Sequence, residues 1–441
     1  MEPSGSSGIT RVGLLTATSL VIANMVGTGV FTSLGFQVGE IPSVFPLLLL
    51  WLTGGVIALC GALSYGELGA ALPRSGGEYH LLSTIYHPVV GFMSGWVSAT
   101  LGFGAPTALA AIAMGKYTAA VFPEINETHL AGGIVVVLTA LHSYSIRAGS
   151  MFQISSTTLK VLLILIFVAA AFFIPDPQGI SLVPGKDDLN LITSPGFAVA
   201  LIYVSYAYTG WNAAVYIAGE VRDPAKTLPR ALFTGTLLVL MLYVGLNYVF
   251  LFSVPMTELA GVVEVGFLSA TRIFGPSGGA LMSMVISLLL VSTVSAMVFV
   301  GPRISMTIGE DMPLFALLGR KSANGIPVNA LLLQMLVTLL FIYTSTFEQV
   351  LIYASFMLTL FTSLTVFGVF VLRWKNPELD RPYKTWGYPY TPLIYVLLSF
   401  WIMIYVFKDK TMESLIGLGI GAAGLIFYLI NALWFPRHHQ K

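Results

Sequence analysis

Two glycines separated by one threonine, Gly27-Thr28-Gly29, interrupt an apolar stretch of helical length that runs from Gly13 to Gly35. A glycine costs about 1 kcal/mol relative to alanine inside a helix, and a backbone N–H or C=O group freed within hydrocarbon must find another partner. We therefore predict a broken helix. A break places N–H groups of one half-helix beside carbonyl oxygens of the other, so that one place can hold an anion and a cation together. A free amino acid carries that pair of charges.

A second apolar stretch contains polar residues where a helix would continue, Tyr206-Ala207-Tyr208-Thr209-Gly210-Trp211-Asn212. Gly210 lies 181 positions after Gly29 (210 minus 29). Two interrupted stretches at matching positions are typical of an inverted repeat whose broken helices meet near the bilayer midplane. Close helix packing is the competing interpretation, because small residues spaced like Gly417 and Gly421 allow helices to approach each other. The matched pair of breaks favours a binding site.

The composition places these stretches in a membrane. Of 441 residues, 56% are hydrophobic and 9% are charged, and the mean hydropathy is +0.85, whereas about a quarter of the residues of soluble domains are charged. About 20 apolar residues cross the hydrocarbon core. We predict an all-α integral membrane protein with twelve transmembrane helices, which occupy Gly13–Gly35, Pro46–Ala70, Val90–Phe122, Leu130–Ile146, Thr157–Ile174, Gly196–Gly219, Leu228–Phe252, Gly278–Ile308, Val328–Thr344, Val350–Trp374, Thr391–Phe407 and Leu415–Phe435.

The distribution of lysine and arginine predicts the orientation, because short cytoplasmic loops are enriched in both. With the N-terminus inside, five of these residues lie outside (Lys116, Lys186, Arg272, Lys408 and Lys410) and Lys160 lies within a span. We expect both termini to be cytoplasmic and the protein to be a multi-pass protein of the plasma (inner) membrane. The inside set has fifteen members: Arg11, Arg74, Arg147, Arg222, Lys226, Arg230, Arg303, Arg320, Lys321, Arg373, Lys375, Arg381, Lys384, Arg437 and Lys441.

Several functional classes are disfavoured. The net charge of +1 gives no reason to expect nucleic acid as a partner, and the single cysteine, Cys60, provides neither a disulfide framework nor a zinc cluster. The sequence contains no His-Glu-x-x-His and no Gly-x-Ser-x-Gly motif, so we expect no enzyme, no metal and no cofactor. A channel or sensor with broken helices stays open as an alternative at this stage.

Three motifs resemble signatures of the amino acid–polyamine–organocation transporter superfamily. They are Gly27-Thr28-Gly29-Val30-Phe31, Pro73-Arg74-Ser75-Gly76-Gly77-Glu78-Tyr79, and Glu220-Val221-Arg222-Asp223-Pro224 with Leu228-Pro229-Arg230-Ala231. Tyr208-Thr209-Gly210-Trp211-Asn212 and the buried Lys160 resemble the L-amino acid transporter subfamily, including its bacterial alanine–serine–cysteine exchangers.

The resemblance implies a five-plus-five inverted repeat with discontinuous helices 1 and 6, which works by alternating access. We expect one transporter domain at 9–441, with a first repeat at 11–174, a second at 194–374 and helices 11 and 12 at 388–435. Residues 1–8 are rich in serine and glycine, and we interpret them as a remnant of an added tag.

The resemblance also implies the site. The substrate carboxylate would rest on the N–H groups of residues 27–29, and the ammonium on the carbonyls of Met25 and Tyr206. Tyr206 matches an aromatic gate that covers the substrate, although a core tyrosine is the competing interpretation. For Asn212, bracing the broken helix and contacting the substrate both stay open. The expected substrate-binding set is Met25, Val26, Gly27, Thr28, Gly29, Tyr206, Ala207, Thr209 and Asn212.

Lys160 is the one Lys or Arg that we place well inside a span. The polar run at 153–158 would extend its helix back to Gly149 and bury the ammonium, whereas snorkelling toward the cytoplasmic interface is the competing interpretation. In sodium-independent relatives a lysine of helix 5 takes the place of sodium, and Lys160 matches it. We expect partners near Asn24 and among the hydroxyls of Ser292 and Ser295.

The resemblance thus predicts sodium-independent exchange of small neutral L-amino acids, namely alanine, serine, cysteine and glycine. A proton-coupled symporter of neutral amino acids is the alternative, because a buried lysine can also carry a proton. Thr209 should shorten the pocket relative to subfamily members with glycine there. The subfamily's eukaryotic light chains join a glycoprotein through a cysteine in the loop that matches Phe122–His129, which has none here, so we expect no disulfide-linked partner subunit.

Overall fold

The computed structural model describes residues 12–144, 149–174, 177–322 and 324–435, with only the backbone described at 149–157. The expected tag at 1–8 and four members of the inside set lie outside the described residues: Arg11, Arg147, Arg437 and Lys441.

The described chain is helical. The first half contains α1 (Leu14–Met25), α2 (Gly29–Thr32), α3 (Leu34–Gln37), α4 (Val44–Ala71), α5 (Gly77–Ile85), α6 (Pro88–Val97), a π-helical turn (Ser98–Gly102), α7 (Gly104–Ala119), α8 (Glu127–Tyr144), α9 (Gly149–Ala170) and a 3₁₀ turn (Ala171–Phe173). The second half contains α10 (Asp188–Ile192), α11 (Pro195–Tyr208), a 3₁₀ helix (Ala213–Glu220), α12 (Pro224–Ser253), α13 (Met256–Leu259), α14 (Val265–Val300), α15 (Pro302–Asp311), a 3₁₀ turn (Pro313–Phe315), α16 (Val328–Thr344), α17 (Phe347–Lys375), α18 (Tyr390–Asp409) and α19 (Thr411–Trp434).

Within the described residues, every predicted span coincides with a helix or with a series of helical segments. Eight helices of the described part of the chain are long and apolar enough to cross a membrane: Leu14–Thr32, Val44–Ala71, Pro88–Ala119, Pro224–Ser253, Val265–Asp311, Phe347–Lys375, Tyr390–Asp409 and Thr411–Trp434. Two shorter apolar helices are Thr158–Phe173 and Val328–Thr344. The chain is a multi-pass membrane protein; the number of twelve crossings and the inverted repeat stay predictions.

Two helices differ from their predicted form. The eighth begins at Val265 instead of Gly278, with a kink at Gly275, whose φ of 75° lies in the left-handed region that glycine tolerates. The third contains the π-helical turn at Ser98–Gly102. Neither feature has a signal in hydropathy, because a kink or a wider turn leaves the apolar composition unchanged.

The start of α1 is held beside the end of the 3₁₀ helix that follows the second break. The Val12 N–H donates to the Glu220 carbonyl at 2.9 Å, and the Arg222 N–H donates to the Val12 carbonyl at 2.9 Å. Val12 and Val221 thus form a short parallel bridge. The bridge joins the N-terminal end of the first interrupted helix to the C-terminal end of the second, and it thereby fixes the two helices relative to each other.

Candidate functional site

The first predicted break is confirmed. Helix α1 ends at Met25, and Val26 has φ −74° and ψ 84°, the geometry of an inverse γ-turn. The Gly27 N–H closes this turn on the Met25 carbonyl at 2.8 Å. Helix α2 then begins at Gly29, so residues 26–28 lie between two helical segments inside an otherwise apolar span.

Three consecutive amides are left at this break. The first N–H groups of a helix have no acceptor inside it, and those of Thr28, Gly29 and Val30 have no other hydrogen-bond acceptor within the described chain. The segment that they open continues through Ser33, which has φ −69° and ψ −29°, into α3. The Gly27 amide already donates to the Met25 carbonyl, so the amides without an acceptor in the described chain are those of residues 28–30, and the expected role of the Gly27 amide stays a prediction.

The second predicted break is confirmed as well. Helix α11 ends at Tyr208, Thr209 has φ −55° and ψ 150°, and Gly210 has a φ of 98°. A residue with a Cβ atom is strained at such a φ, so glycine is the residue that permits this turn. The 3₁₀ helix begins at Ala213, whose N–H donates to the Gly210 carbonyl at 3.0 Å.

The two breaks lie against each other. A Cβ atom added to Gly29 would lie 2.4 Å from the Ala207 Cα, and one added to Gly210 would lie 2.7 Å from the Asn24 carbonyl oxygen. Real Cβ atoms do not approach other atoms so closely. The glycines therefore allow close packing as well as the two breaks, and a binding site at the breaks stays a prediction.

The carbonyls expected to hold an ammonium group already accept hydroxyl donors. The Met25 carbonyl accepts the Tyr243 hydroxyl at 2.7 Å in addition to the Gly27 N–H. The Tyr206 carbonyl accepts the Thr209 N–H at 3.0 Å and the Thr209 hydroxyl at 2.6 Å. Since a carbonyl oxygen has two lone pairs, an arriving ammonium must displace one hydroxyl from each. Tyr243 is one of 19 tyrosines, and nothing in the sequence around it distinguishes it as a partner of the Met25 carbonyl.

The Tyr206 side chain is buried and faces the first break. Its hydroxyl lies 3.5 Å from the Thr28 hydroxyl, and 5% of the residue is exposed. Ala207, the next residue, is the one that contacts Gly29. Tyr206 is thus close enough to the break to cover a bound molecule, and its gating role stays a prediction.

Asn212 makes the bracing contact that was one of its two open roles. Its Nδ2 atom donates to Glu78 Oε1 at 2.6 Å. Asn24 donates through its own Nδ2 to the Leu20 carbonyl at 2.9 Å, and a contact between Lys160 and the carbonyls of the first helix near Asn24 stays a prediction. Substrate contact by Asn212 stays a prediction.

Lys160 is buried, with 3% of the residue exposed, so the snorkelling interpretation is wrong. As predicted, its helix begins at Gly149. The Nζ atom donates to the Thr293 hydroxyl at 2.8 Å. The Thr293 methyl group would lie 3.8 Å from a Cβ atom at Gly27. Thr293 therefore stands between the ammonium of Lys160 and the first break.

The two hydroxyls that the sequence offered for Lys160 flank the one that the structure shows. Ser292 is buried beside Thr293, with 1% of the residue exposed. The Ser295 hydroxyl lies 2.8 Å from His142 Nε2. All three residues lie on α14, where each step turns the helix by about 100°; hydropathy alone does not fix which of them faces Lys160.

The sequence profile of the amino acid permease family matches residues 12–439. The large neutral amino acids transporter small subunit 2 of Mus musculus is 28% identical over 99% of this chain and 84% of its own length. The b(0,+)-type amino acid transporter 1 of Mus musculus is 25% identical over 95% of this chain and 87% of its own length. The serine/threonine exchanger SteT of Bacillus subtilis is 27% identical over 95% of this chain and 96% of its own length.

The contact between the breaks predicts opposite effects for one substitution at two glycines. Gly29→Ala should lower the melting temperature of the detergent-solubilised protein, because overpacking costs roughly 1–3 kcal/mol. Gly133→Ala in α8, where a Cβ atom meets nothing within 4 Å, should leave the melting temperature unchanged or raise it, since alanine is the better helix former. Equal melting temperatures for the two variants would contradict the close approach of the breaks.

Proposed function

We propose that this protein, which belongs to the amino acid permease family, exchanges small neutral L-amino acids across the plasma (inner) membrane without sodium. Members of this family are transporters and not enzymes. The observation that carries the proposal is the contact between two broken helices: the first presents free amides, and each presents a carbonyl whose hydroxyl donor can be displaced. Such a pair suits a zwitterion, whose two charges need opposite partners within reach of each other.

The anionic half of the site would be the start of α2. The amides of Thr28, Gly29 and Val30 can donate to the substrate carboxylate, and the Thr28 hydroxyl adds a fourth donor. A half-helix N-terminus carries a partial positive charge, which favours an anion there. Val26 supplies the turn that frees these groups.

The cationic half would be formed by the carbonyls of Met25 and Tyr206. Both accept hydroxyls that can rotate away, one from Tyr243 and one from Thr209. The substrate ammonium would take their place and make charge-assisted hydrogen bonds, which are stronger than those of the neutral hydroxyls. Ala207 and Asn212 complete the expected wall of the site.

Lys160 would supply the fixed positive charge that sodium supplies in related folds. Its ammonium is buried and bonded to Thr293, which lies against Gly27. The charge therefore lies beside the first break, with Thr293 between them. Asn24, Ser292 and Ser295 stay in this proposal as polar groups of the same region.

The expected substrates are alanine, serine, cysteine and glycine. The Thr209 side chain lies at the second break, where its hydroxyl donates to the Tyr206 carbonyl. Its volume would shorten the space for a substrate side chain. The buried carboxylates of Glu67 and Glu78 accept hydrogen bonds from protein groups. They are thus not free to receive a cationic substrate side chain, which would need such a partner.

The transport cycle would be alternating access in a five-plus-five inverted repeat, with both termini cytoplasmic. The lysine and arginine distribution supports that orientation. The loop 122–129 lacks cysteine, and Cys60 is buried in α4, which supports a transporter that works without a disulfide-linked subunit.

Proton-coupled symport is the second candidate, favoured by one observation. The buried Lys160 ammonium donates to a neutral hydroxyl, that of Thr293, and a buried lysine without a carboxylate can give up its proton. Uptake into vesicles that contain no amino acid, driven by an imposed pH gradient, distinguishes this candidate from exchange.

Vesicle exchange tests the proposal. Purified protein in liposomes should take up labelled alanine when unlabelled alanine, serine or cysteine is trapped inside, equally in sodium and in choline buffer. Empty vesicles should take up almost none. Uptake that needs sodium, or that proceeds at the same rate into empty vesicles, would contradict sodium-independent exchange.

Removing the ammonium of Lys160 should slow exchange strongly. Lys160→Ala leaves the Thr293 hydroxyl without its donor beside the first break, so we expect a loss of at least tenfold in exchange rate, as for a lost charged hydrogen bond. Lys116→Ala is the matched control, because Lys116 forms a partly exposed ion pair with Glu127 at 3.3 Å; this variant should exchange normally. Normal exchange by Lys160→Ala would refute the sodium-substitute role.

Shortening Thr209 should change the preferred substrate size. Thr209→Gly removes the hydroxyl on the Tyr206 carbonyl and the volume beside it, so leucine or phenylalanine should compete better for alanine exchange than in the unmodified protein. One methylene in an apolar pocket changes selectivity by roughly 10–200-fold. An unchanged ranking of competitors would place Thr209 outside the substrate pocket.

A further inference from the structure

The Glu78 carboxylate is a buried acid to which the proposed transport cycle assigns no role. It lies in the first turn of α5, with 2% of the residue exposed. Its Oε1 atom accepts the Tyr65 hydroxyl at 2.8 Å and the Asn212 amide at 2.6 Å, and its Oε2 atom accepts the Tyr216 hydroxyl at 2.6 Å. The donors come from α4 and from the segment that follows the second break.

These donors are what makes the buried carboxylate tolerable. Burial raises the pKa of Glu78, and the hydrogen bonds from Tyr216, Tyr65 and Asn212 act in the opposite direction. No ion pair joins Glu78 to a cation within the described chain. A buried acid held only by neutral donors depends on all of them, because each lost bond leaves part of the charge unsolvated.

The surrounding loop is fastened to the same segment by its backbone. The Gly76 N–H donates to the Tyr216 carbonyl at 3.1 Å, and the Gly219 N–H donates to the Ser75 hydroxyl at 3.2 Å. A Cβ atom at Gly77, whose φ is 55°, would lie 2.5 Å from the Tyr216 ring. Glycine at this position therefore lets the ring reach the carboxylate.

Asn212 connects this contact to the second break. It follows Gly210 by two residues, and its carbonyl accepts the Val215 N–H at 3.0 Å, which starts the 3₁₀ helix. The hydrogen bond from the Asn212 side chain to Glu78 thus fixes the residue that precedes the 3₁₀ helix Ala213–Glu220, the distal half of helix 6. That half ends at Glu220, where Val12 is bound, on the side of the molecule proposed to be cytoplasmic.

We propose that Glu78 is a positioning residue that holds the distal half of helix 6 closed on the cytoplasmic side and so sets the geometry of the second break. The inference rests on the proposed function, since it assigns a part of the alternating-access cycle. In this proposal, opening toward the cytoplasm separates the 3₁₀ helix from α4 and α5, and the bonds from Asn212 and Tyr216 to Glu78 break in the same step. Weakening them favours the cytoplasm-open state.

Thiol labelling measures this opening without any transport assay. Val215 is 1% exposed, and its Cγ2 atom would lie 3.5 Å from a Cβ atom at Gly69 of α4. Val215→Cys in a Cys60→Ser background should react slowly with a maleimide while the segment is closed. Adding Glu78→Gln, which keeps the size and removes the charge, should speed labelling by roughly tenfold, the expected effect of weakened bonds to a buried charge.

Two further variants and a matched control make the test more specific. Tyr216→Phe deletes one donor and keeps the ring, so it should speed labelling even where Glu78→Gln folds poorly. Tyr216→Phe combined with Glu78→Gln should add little to either alone, because partners in one network are not independent. Glu310→Gln is the matched control: this carboxylate forms an exposed pair with Lys321 at 3.0 Å, so labelling should stay at the parent rate.

Exchange kinetics supply the second readout. In oriented vesicles, Glu78→Gln should change the half-saturation concentration of alanine on the cytoplasmic face more than on the outer face, and Glu78→Asp should restore part of the difference. Parent-rate labelling in both Glu78→Gln and Tyr216→Phe would overturn the inference. If the unmodified protein exchanges no amino acid, the proposed function fails, whereas the labelling result still decides whether Glu78 holds the segment.

Discussion

Backbone groups inside a hydrocarbon layer must be paired, and this constraint governs the centre of the molecule. Two helices give up their own pairing at Gly27 and Gly210, a loss that hydrocarbon does not compensate. The chain repairs the loss unevenly. The carbonyls at both breaks receive hydroxyls from Tyr243 and Thr209, whereas the amides of 28–30 have no acceptor within the described chain. The proposed site would therefore be closed toward cations by side chains that can rotate, and open toward an anion.

A buried charge stands behind each break. Near the first break, the Lys160 ammonium donates to Thr293, which lies beside Gly27. Near the second break, the Glu78 carboxylate accepts a hydrogen bond from Asn212. Both charges are bonded to neutral side chains, so both are sensitive to small displacements. A substrate that moves either half-helix thus changes the surroundings of a buried charge, which is a physical route from binding to a change of state.

The breaks and the burial of Lys160 could be predicted because each violates a strong rule. Glycine pairs and an ammonium are costly in hydrocarbon, so their presence indicates a compensating contact. The partners of these groups could not be predicted. Thr293 differs from Ser292 only in its position around the helix, and Tyr243 resembles other tyrosines of the spans.

Glu78 was hidden for a different reason. It lies in a polar motif between two spans, where a carboxylate is expected in water, and only the fold of that loop onto the 3₁₀ helix buries it. The kink at Gly275 and the π-helical turn at Ser98–Gly102 are likewise local backbone choices that packing decides. Hydropathy fixes where helices lie along the chain, and it leaves their contacts to tertiary structure.

The central claim is that a zwitterion is held by main-chain groups of the two breaks. An experimental structure of the protein with bound alanine tests it most directly. We predict carboxylate oxygens within hydrogen-bond distance of the amides of Thr28, Gly29 and Val30, and the ammonium on the carbonyls of Met25 and Tyr206 with the Tyr243 and Thr209 hydroxyls turned away. Alanine bound elsewhere, with both hydroxyls still on those carbonyls, would contradict the account.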